Sequence, residues 1–174
     1  NGPVYLSADG GTTWTRAEMP ESSWSAIASS SDGSRLVVVS YSFPDAPVYL
    51  SNDFGQSWTK APVTPFGWTS VASSADGQRL VVTSNSFPDG PTFLSSDGGA
   101  SWSQSTLVPS SWMSVASSSD GLKLFAVSNA YPDGPVYRST AGGASWAKLN
   151  ATPDNYSAIT CSADGMRLVA ATAL

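Results

Sequence analysis

Aromatic and carboxylate side chains recur together in three short segments bounded by prolines. The segments read Phe43-Pro44-Asp45-Ala46-Pro47, Phe87-Pro88-Asp89-Gly90-Pro91 and Tyr131-Pro132-Asp133-Gly134-Pro135. The apolar face of a pyranose stacks on an aromatic ring, and its hydroxyl groups donate hydrogen bonds to a carboxylate. Flanking prolines lower the cost of ordering such a loop on binding. The pattern predicts carbohydrate-binding loops that use Phe43, Asp45, Phe87, Asp89, Tyr131 and Asp133. The competing interpretation is that the rings pack in the core and the aspartates only make turns.

A second aromatic series has the same spacing and precedes four strand-like segments. Its members are Trp24, Trp68, Trp112 and Tyr156. If these residues begin strands that start at the same edge as the proline-bounded loops, they are further candidates for ligand contact. Packing is the favoured interpretation for this series, because large aromatic residues at the start of a strand are commonly buried.

Acid–base catalysis has few suitable residues in this chain. There is no His, which removes the usual general base and the commonest metal ligand. The only glutamates, Glu18 and Glu21, lie in one segment, whereas glycoside hydrolysis needs two carboxylates about 5–9.5 Å apart across a sugar. Nearly all aspartates recur with the repeat described below, so they do not converge on one pocket. We therefore predict a non-enzyme with no cofactor and no metal site.

Composition narrows the classes of partner. The 174 residues carry a net charge of −5 with only eight Lys and Arg, which argues against a nucleic-acid partner. No apolar run approaches the ~18 residues of a membrane span. The chain begins at Asn1 without a visible signal peptide, so we expect a mature, trimmed or excised product. We also predict a secreted protein. The single cysteine, Cys161, excludes an intrachain disulfide. Asn150 and Asn155 lie in N-glycosylation sequons.

One motif repeats four times at constant spacing and organises the whole chain. The segment Ser51-Asn52-Asp53-Phe54-Gly55-Gln56-Ser57-Trp58 recurs so that each copy ends 44 residues after the previous one, at Trp14, Trp58, Trp102 and Trp146. The pattern Ser-x-Asp-x-Gly-x-Ser/Thr-Trp resembles the Asp-box, or bacterial neuraminidase repeat. The resemblance implies a β-propeller in which each box is the turn between the third and fourth strands of a blade. It leaves activity open, because that family includes sialidases, other glycosidases, lectins, sorting receptors and assembly factors.

The residues between the boxes independently predict four short strands per repeat. In the second full repeat, segment 68–74 alternates, Asp76-Gly77 marks a tight turn, and segment 79–84 is rich in β-branched residues. Segments 92–95 and 101–104 complete the unit. Four strands in 44 residues make one propeller blade, so the fold class is all-β.

Within the box, the residue types indicate a structural turn. Asp53 can accept hydrogen bonds from nearby backbone amides, Gly55 can adopt a positive φ, and Trp58 can cover the hairpin. The fourth box has Ala141 in place of the aspartate, so its turn should be the loosest. Repetition of the aspartate at one position makes a metal-binding or acid role the less favoured alternative.

The chain opens on the third strand of a repeat and closes on the second strand of another, which predicts a single domain with a composite blade. Residues 1–20 supply two outer strands and residues 156–174 supply two inner strands, on either side of full blades at 24–62, 68–106 and 112–150. The two halves close either one chain into a four-bladed ring or two chains into an eight-bladed homodimer. The homodimer is favoured because the propellers that the resemblance suggests mostly have six or more blades.

A sialidase requires catalytic residues that lie close together, whereas the repeats place the candidate residues of this chain far apart. The resemblance implies three arginines on one carboxylate, a Tyr nucleophile with a Glu partner, and an Asp acid/base. Arg35, Arg79 and Arg167 occupy one position in successive repeats, with Lys123 in the remaining repeat, so they cannot converge. A glycoside hydrolase fragment is therefore the less favoured reading.

We predict a multivalent, lectin-like binding module with a glycan or protein ligand. The main alternative is a structural or protein-docking propeller, for which exposed loop residues such as Met19, Val63 and Leu107 would serve. An engineered or excised repeat fragment without its own ligand is a third possibility.

Overall fold

The computed structural model describes residues 1–42, 44–86, 90–130, 134–152 and 154–173. Sixteen strands occur in it, in keeping with the predicted all-β class. The first eight are β1 (Tyr5–Leu6), β2 (Thr15–Arg16), β3 (Trp24–Ser29), β4 (Leu36–Ser40), β5 (Val48–Ser51), β6 (Thr59–Lys60), β7 (Trp68–Ser73) and β8 (Leu80–Ser84). The others are β9 (Thr92–Ser95), β10 (Ser103–Gln104), β11 (Trp112–Ser117), β12 (Leu124–Ser128), β13 (Val136–Ser139), β14 (Ala147–Lys148), β15 (Tyr156–Cys161) and β16 (Leu168–Thr172). Within these described ranges, no helix is long and apolar enough to cross a membrane.

Antiparallel pairing groups the strands into blades, as predicted. Strands β3–β6, β7–β10 and β11–β14 form three four-stranded sheets, which we call the first, second and third blades. Strands β1–β2 form an outer half-blade, and β15–β16 form an inner half-blade. Each inner strand pair has a bulge after its first aromatic residue. In the second blade, for example, Trp68 pairs with Ser84 and the next pair is Ser70 with Thr83.

The core lies between neighbouring blades, because the second strands bury β-branched side chains against the next sheet. Val39 and Leu50 of the first blade pack with Val71 and Val82 of the second. Comparable clusters join the second blade to the third, the third blade to the inner half-blade, and the outer half-blade to the first blade. Burying these side chains is the main stabilising contribution to the stack.

Each box lies between the third and fourth strands of its blade, as predicted, and hydrogen bonds within the box form the turn. Asp53 Oδ1 accepts from Ser51 Oγ at 2.8 Å and from the Ser57 amide at 2.9 Å. Gly55 has a φ of 86°, and its carbonyl accepts from Trp58 Nε1 at 3.0 Å. The hydrogen bonds to Asp53, above all those from the Ser57 hydroxyl and then the Ser57 amide, lower the pKa of Asp53 to about 2. Such an aspartate is ionised and committed to its turn.

The two half-blades remain separate sheets in the described residues. The inner strands β3, β7, β11 and β15 lie side by side in that order, and the outer half-blade packs on the first blade through Val4, Ala17 and Val38. Strand β16 pairs with β15 but carries no further ladder in the described part of the chain. The chain is therefore an open arc of three complete and two half blades.

Candidate functional site

A cavity of about 280 Å³ opens at the rim of the first blade, where the loop from β4 to β5 meets the entry to β3. Trp24 begins β3, Asp45 lies in the loop, Tyr49 is in β5 and Lys60 ends β6. Glu21, from the segment between β2 and β3, also lines it. The cavity thus brings together two of the predicted ligand residues, Trp24 and Asp45.

Two aromatic rings form the apolar wall of this cavity. Trp24 and Tyr49 meet edge to face, with ring centroids 6.0 Å apart and planes at 81°. Both side chains are partly exposed. Pro44 and Pro47 frame the same opening, so the wall is rigid as well as apolar.

Charged groups of both signs surround the wall. Asp45 and Lys60 are exposed. Glu21 Oε1 accepts a hydrogen bond from Arg16 Nη2 at 2.7 Å, which is an exposed ion pair. Ser22 Oγ lies 2.7 Å from Ser40 Oγ, so Ser22, two residues before Trp24, is hydrogen-bonded to the second strand of the blade. The cavity therefore offers an aromatic surface, carboxylate acceptors and one ammonium donor.

The corresponding position in the second blade is filled. Phe66 stands where the first blade has Ser22, and its ring lies 5.7 Å from Trp68 and 5.9 Å from Phe93, centroid to centroid. Trp68 has no exposed surface. A ligand can therefore reach Trp24 but not Trp68 in this arrangement.

The third blade and the inner half-blade also differ from the first. Trp112 is fully buried and meets Tyr137 edge to face at 5.8 Å. Tyr156 is partly buried, and its hydroxyl donates to the Thr152 carbonyl at 2.6 Å. The predicted sites are thus not equivalent. The difference between Ser22 and Phe66 was visible in the repeat, but it does not account for the third blade, where Ser110 stands at this position and Trp112 is still fully buried.

An unpaired indole N–H is common to three blades. Trp24, Trp68 and Trp112 each bury Nε1 without a hydrogen-bond partner among the described residues. All three indoles meet a perpendicular aromatic ring on the third strand of their own blade. Because the feature recurs where the cavity is closed, it belongs to blade packing and not to ligand binding.

Most of the predicted proline-loop residues lie outside the described residues. These are Phe43, Phe87, Asp89, Tyr131 and Asp133. Tyr49 and Lys60 were missed by the sequence reasoning. An aromatic residue does recur at the position of Tyr49, as Phe93 and Tyr137, and this was the available signal.

The loop residues suggested for protein docking are more buried than expected. Leu107 is buried in the cluster between the second and third blades. Met19 and Val63 are partly buried against core clusters. The prediction that Leu107 is exposed was wrong, because the segment between blades folds back over the joint.

Neither metal chemistry nor thiol chemistry is indicated by the described side chains. Across the described ranges there is no group of three His, Cys, Asp or Glu that could hold an ion. Cys161 is a free thiol whose pKa is raised by burial and, to a lesser degree, by the charge of Asp164.

Comparison with known proteins supports the propeller fold. No protein-family model and no curated protein sequence matches the chain. An ancestral GH74 enzyme is similar in structure with a TM-score of 0.72 and 22% identity over 97% of this chain. The structure of YCF48 bound to D1 peptide gives 0.67 and 20% over 97%, and that of the nidogen/laminin complex gives 0.69 and 13% over 94%.

The chain is shorter than each of these neighbours. It spans 24% of the GH74 chain, 53% of the YCF48 chain and 61% of the chain from the nidogen/laminin complex. At such identities the likeness shows the fold alone. The chain is a β-propeller of tandem repeats, and its structural neighbours include enzymes as well as proteins in complex with a peptide or another protein.

Proposed function

We propose that this chain is a non-catalytic carbohydrate-binding module and that the cavity beside Trp24 is its ligand site. The observation that carries the proposal is the partly exposed Trp24–Tyr49 wall with Asp45 at its rim. A sugar ring presents the same combination of an apolar face and peripheral hydroxyl groups.

The size and charge of the cavity narrow the ligand class. A volume of about 280 Å³ suits one sugar ring or the end of a glycan chain, since larger organic ligands occupy roughly 300–1,000 Å³. Asp45 and Glu21 would accept hydrogen bonds from hydroxyls, and Lys60 would donate one. A neutral sugar suits this rim, because Arg16 pairs with Glu21 and Lys60 balances the charge of Asp45.

Carboxylate chemistry favours binding over hydrolysis. The box aspartates and those of the Asp-Gly turns accept hydrogen bonds from serine or threonine hydroxyls, which lowers their pKa values. Glu21 is held in an ion pair by Arg16. A glycosidase acid must be protonated at working pH, whereas the hydrogen bonds to these turn aspartates favour their charged form.

Valency follows from the blade differences. The first blade has an open cavity, whereas Phe66 fills the equivalent position in the second and Trp112 is inaccessible in the third. Among the described residues we therefore assign one site of this kind, in the first blade, and avidity would come from several chains. An extracellular location, where glycans are displayed, fits this role.

Protein docking is the rival function. YCF48 with its D1 peptide and nidogen with laminin show that other propellers meet such partners. Here, however, the apolar loop residues Met19, Val63 and Leu107 pack against the core, which leaves less apolar surface at the rim. The carbohydrate proposal therefore has the stronger support.

A glycan array followed by calorimetry tests the proposal. We expect weak, sugar-specific binding by the wild-type chain and loss of that binding in Asp45→Asn. Asp154→Asn, an exposed carboxylate on another loop, is the matched control and should bind normally. No bound glycan, or equal binding by Asp45→Asn, would reject the proposal. Turnover of aryl glycosides would reject its non-catalytic part.

A further inference from the structure

We infer that the hydroxyl group of Ser42 is a fixed hydrogen-bond donor to the ligand of the first-blade cavity. The inference rests on the proposed function, because it assigns a further contact to the same site. Ser42 lies between β4 and β5 and lines the cavity together with Trp24 and Asp45. A bound sugar would place an acceptor oxygen beside it.

Two neighbouring groups fix the position of the Ser42 oxygen. The Ser23 amide donates to Ser42 Oγ at 3.0 Å. Ser22 Oγ donates to the same oxygen at 3.1 Å. A hydroxyl oxygen has two lone pairs, so these two bonds use its acceptor capacity. The Ser42 oxygen is therefore held by the segment that leads directly into Trp24 and β3.

The hydrogen of the Ser42 hydroxyl is not used within this network. Ser22 Oγ donates to Ser42, and Ser40 Oγ donates to the Ser23 carbonyl at 3.2 Å. Among the described residues, Ser42 Oγ itself donates to no acceptor. Ser42 is partly exposed and lines the cavity, so its hydrogen can point into space that a ligand occupies. With both lone pairs engaged, this hydroxyl can bind a ligand only as a donor.

Backbone bonds make the donor rigid. The Ser42 amide donates to Ser40 Oγ at 3.0 Å, and the Ala46 amide donates to the Ser42 carbonyl at 2.5 Å. Ser40 has no exposed surface. Ser42 thus connects the buried end of β4 to the turn that carries Asp45. A group that is already ordered loses little conformational entropy on binding.

The second blade uses the equivalent serine differently. Ser86 stands at the repeat position of Ser42, and its Oγ lies 2.8 Å from Ser84 Oγ. The Gly67 amide donates to Ser86 Oγ at 3.3 Å. The Ser86 hydrogen therefore has an acceptor within its own blade, in Ser84 Oγ, which the Ser42 hydrogen lacks.

The third blade has no hydroxyl group at this position. Ala130 stands there, and the hydroxyl oxygens of Ser110 and Ser128 lie 2.8 Å apart, so these two serines pair with each other. As far as the three full blades are described, only the first has an unused hydroxyl hydrogen beside a partly exposed aromatic wall.

Ser42 complements the carboxylate of Asp45, which lies three residues later in the same loop. Asp45 can only accept hydrogen bonds, whereas Ser42 can only donate one. A sugar satisfies both, because its hydroxyl groups donate to one partner and accept from another. A site with both groups discriminates against a ligand that lacks the acceptor, since Ser42 would then be left unpaired.

Binding of neutral sugars to Ser42 variants tests the inference. Saturation-transfer NMR with N-acetylglucosamine and the methyl glycosides of glucose, galactose and mannose identifies a sugar that binds, and calorimetry measures its Kd. Ser42→Ala should bind that sugar about three- to tenfold more weakly, the range expected for one neutral hydrogen bond. Ser42→Thr keeps the hydroxyl group and should bind within about twofold of the wild type.

Ser86→Ala, the same change at the equivalent position of the second blade, is the matched control and should bind normally. Ser42→Ala is compatible with the fold, because Ala130 occupies this position in the third blade. Circular dichroism and urea unfolding check that each variant is folded.

The outcomes separate this inference from the proposed function. Equal weakening by Ser42→Ala and Ser42→Thr would show that the shape of the loop, and not the donor, is responsible, which overturns the inference. Normal binding by Ser42→Ala together with lost binding by Asp45→Asn would overturn it alone. Absence of binding by the wild-type chain to every sugar of the panel and of the glycan array would overturn both.

Discussion

The isobutyl group of Leu50 in the first blade occupies the space beside Gly99 in the second blade. A Cβ on Gly99 would stand 2.9 Å from Leu50 Cδ2 and 3.2 Å from its Cγ, and Gly99 has a φ of 90°. The same joint recurs between Leu6 and Gly55. The box glycine therefore serves both its own turn and the contact between blades.

Substitution of this pair should show strong coupling. Gly99→Ala should destabilise the chain by about 2–4 kcal/mol, because a positive φ and a steric clash add. Leu50→Ala should cost about 2–5 kcal/mol through the cavity it leaves. In the double variant the clash is absent, so the combined loss should fall short of the sum by at least ~1 kcal/mol. Urea unfolding of the four proteins measures this, and simple additivity would contradict the proposed contact.

Restoring the aspartate of the fourth box should stabilise the chain. In the third box, Asp97 accepts from the Ser101 amide at 2.9 Å and from Ser101 Oγ at 2.6 Å. The fourth box has Ser145 but no such acceptor, because Ala141 replaces the aspartate. Ala141→Asp should raise the free energy of unfolding by about 1 kcal/mol.

The control for this substitution is Ala144→Asp, which adds the same charge in the same exposed turn at a position where the other boxes carry no aspartate. Its stability should match that of the wild type within about 0.5 kcal/mol. Equal effects of the two substitutions would show that charge, and not the turn bonds, is responsible.

Stability should fall in acid because of the turn aspartates. Hydrogen bonds from Thr13, Ser30, Ser57 and Ser101 lead the interactions that lower the pKa values of Asp9, Asp32, Asp53 and Asp97, in that order, to about 2. In the unfolded chain an aspartate titrates near about 3.9. Folded pKa values below unfolded ones mean that this contribution is complete above about pH 4 and is lost as the pH falls toward 2.

Thermal unfolding between pH 7 and pH 2 measures this loss. The melting temperature should hold steady down to about pH 4, near the unfolded pKa of aspartate, and then decrease. Asp53→Asn should melt lower at pH 7 and show a shallower acid decline. A wild-type melting temperature that does not change between pH 5 and pH 2 would refute the prediction.

Filling one repeat position should close the ligand site. Ser22→Phe should close the first-blade cavity as Phe66 covers Trp68 in the second blade, and glycan binding should fall at least tenfold. Phe66→Ser should add no site, because Trp112 is fully buried in the third blade although Ser110 stands at this position. Calorimetry measures affinity and stoichiometry, and circular dichroism checks that each variant is folded. Unchanged binding by Ser22→Phe would exclude this cavity as the site.

The local pattern of residue types was sufficient to predict the strands and turns of one blade. The 44-residue spacing of Trp14 and Trp58, the β-branched second strands and the Asp-Gly turns all act within one repeat, so residue types alone predicted four strands and the box turn. The role of Asp53 also followed from its neighbours, because its hydrogen-bond partners lie within four residues.

Relations between blades required the tertiary structure. Trp24 and Trp68 occupy the same repeat position, yet one lines a cavity and the other is fully buried. Trp112 follows a serine, as Trp24 does, but it is fully buried against Ala72 and Val81 of the preceding blade, so contacts between blades decide access. The open edge of β16 likewise appears only when its neighbours are placed. The sequence determined the repeating unit through short-range preferences. The tertiary structure decided which tryptophans a ligand can reach and which strand edges are open, because both depend on contacts between residues about one repeat or more apart.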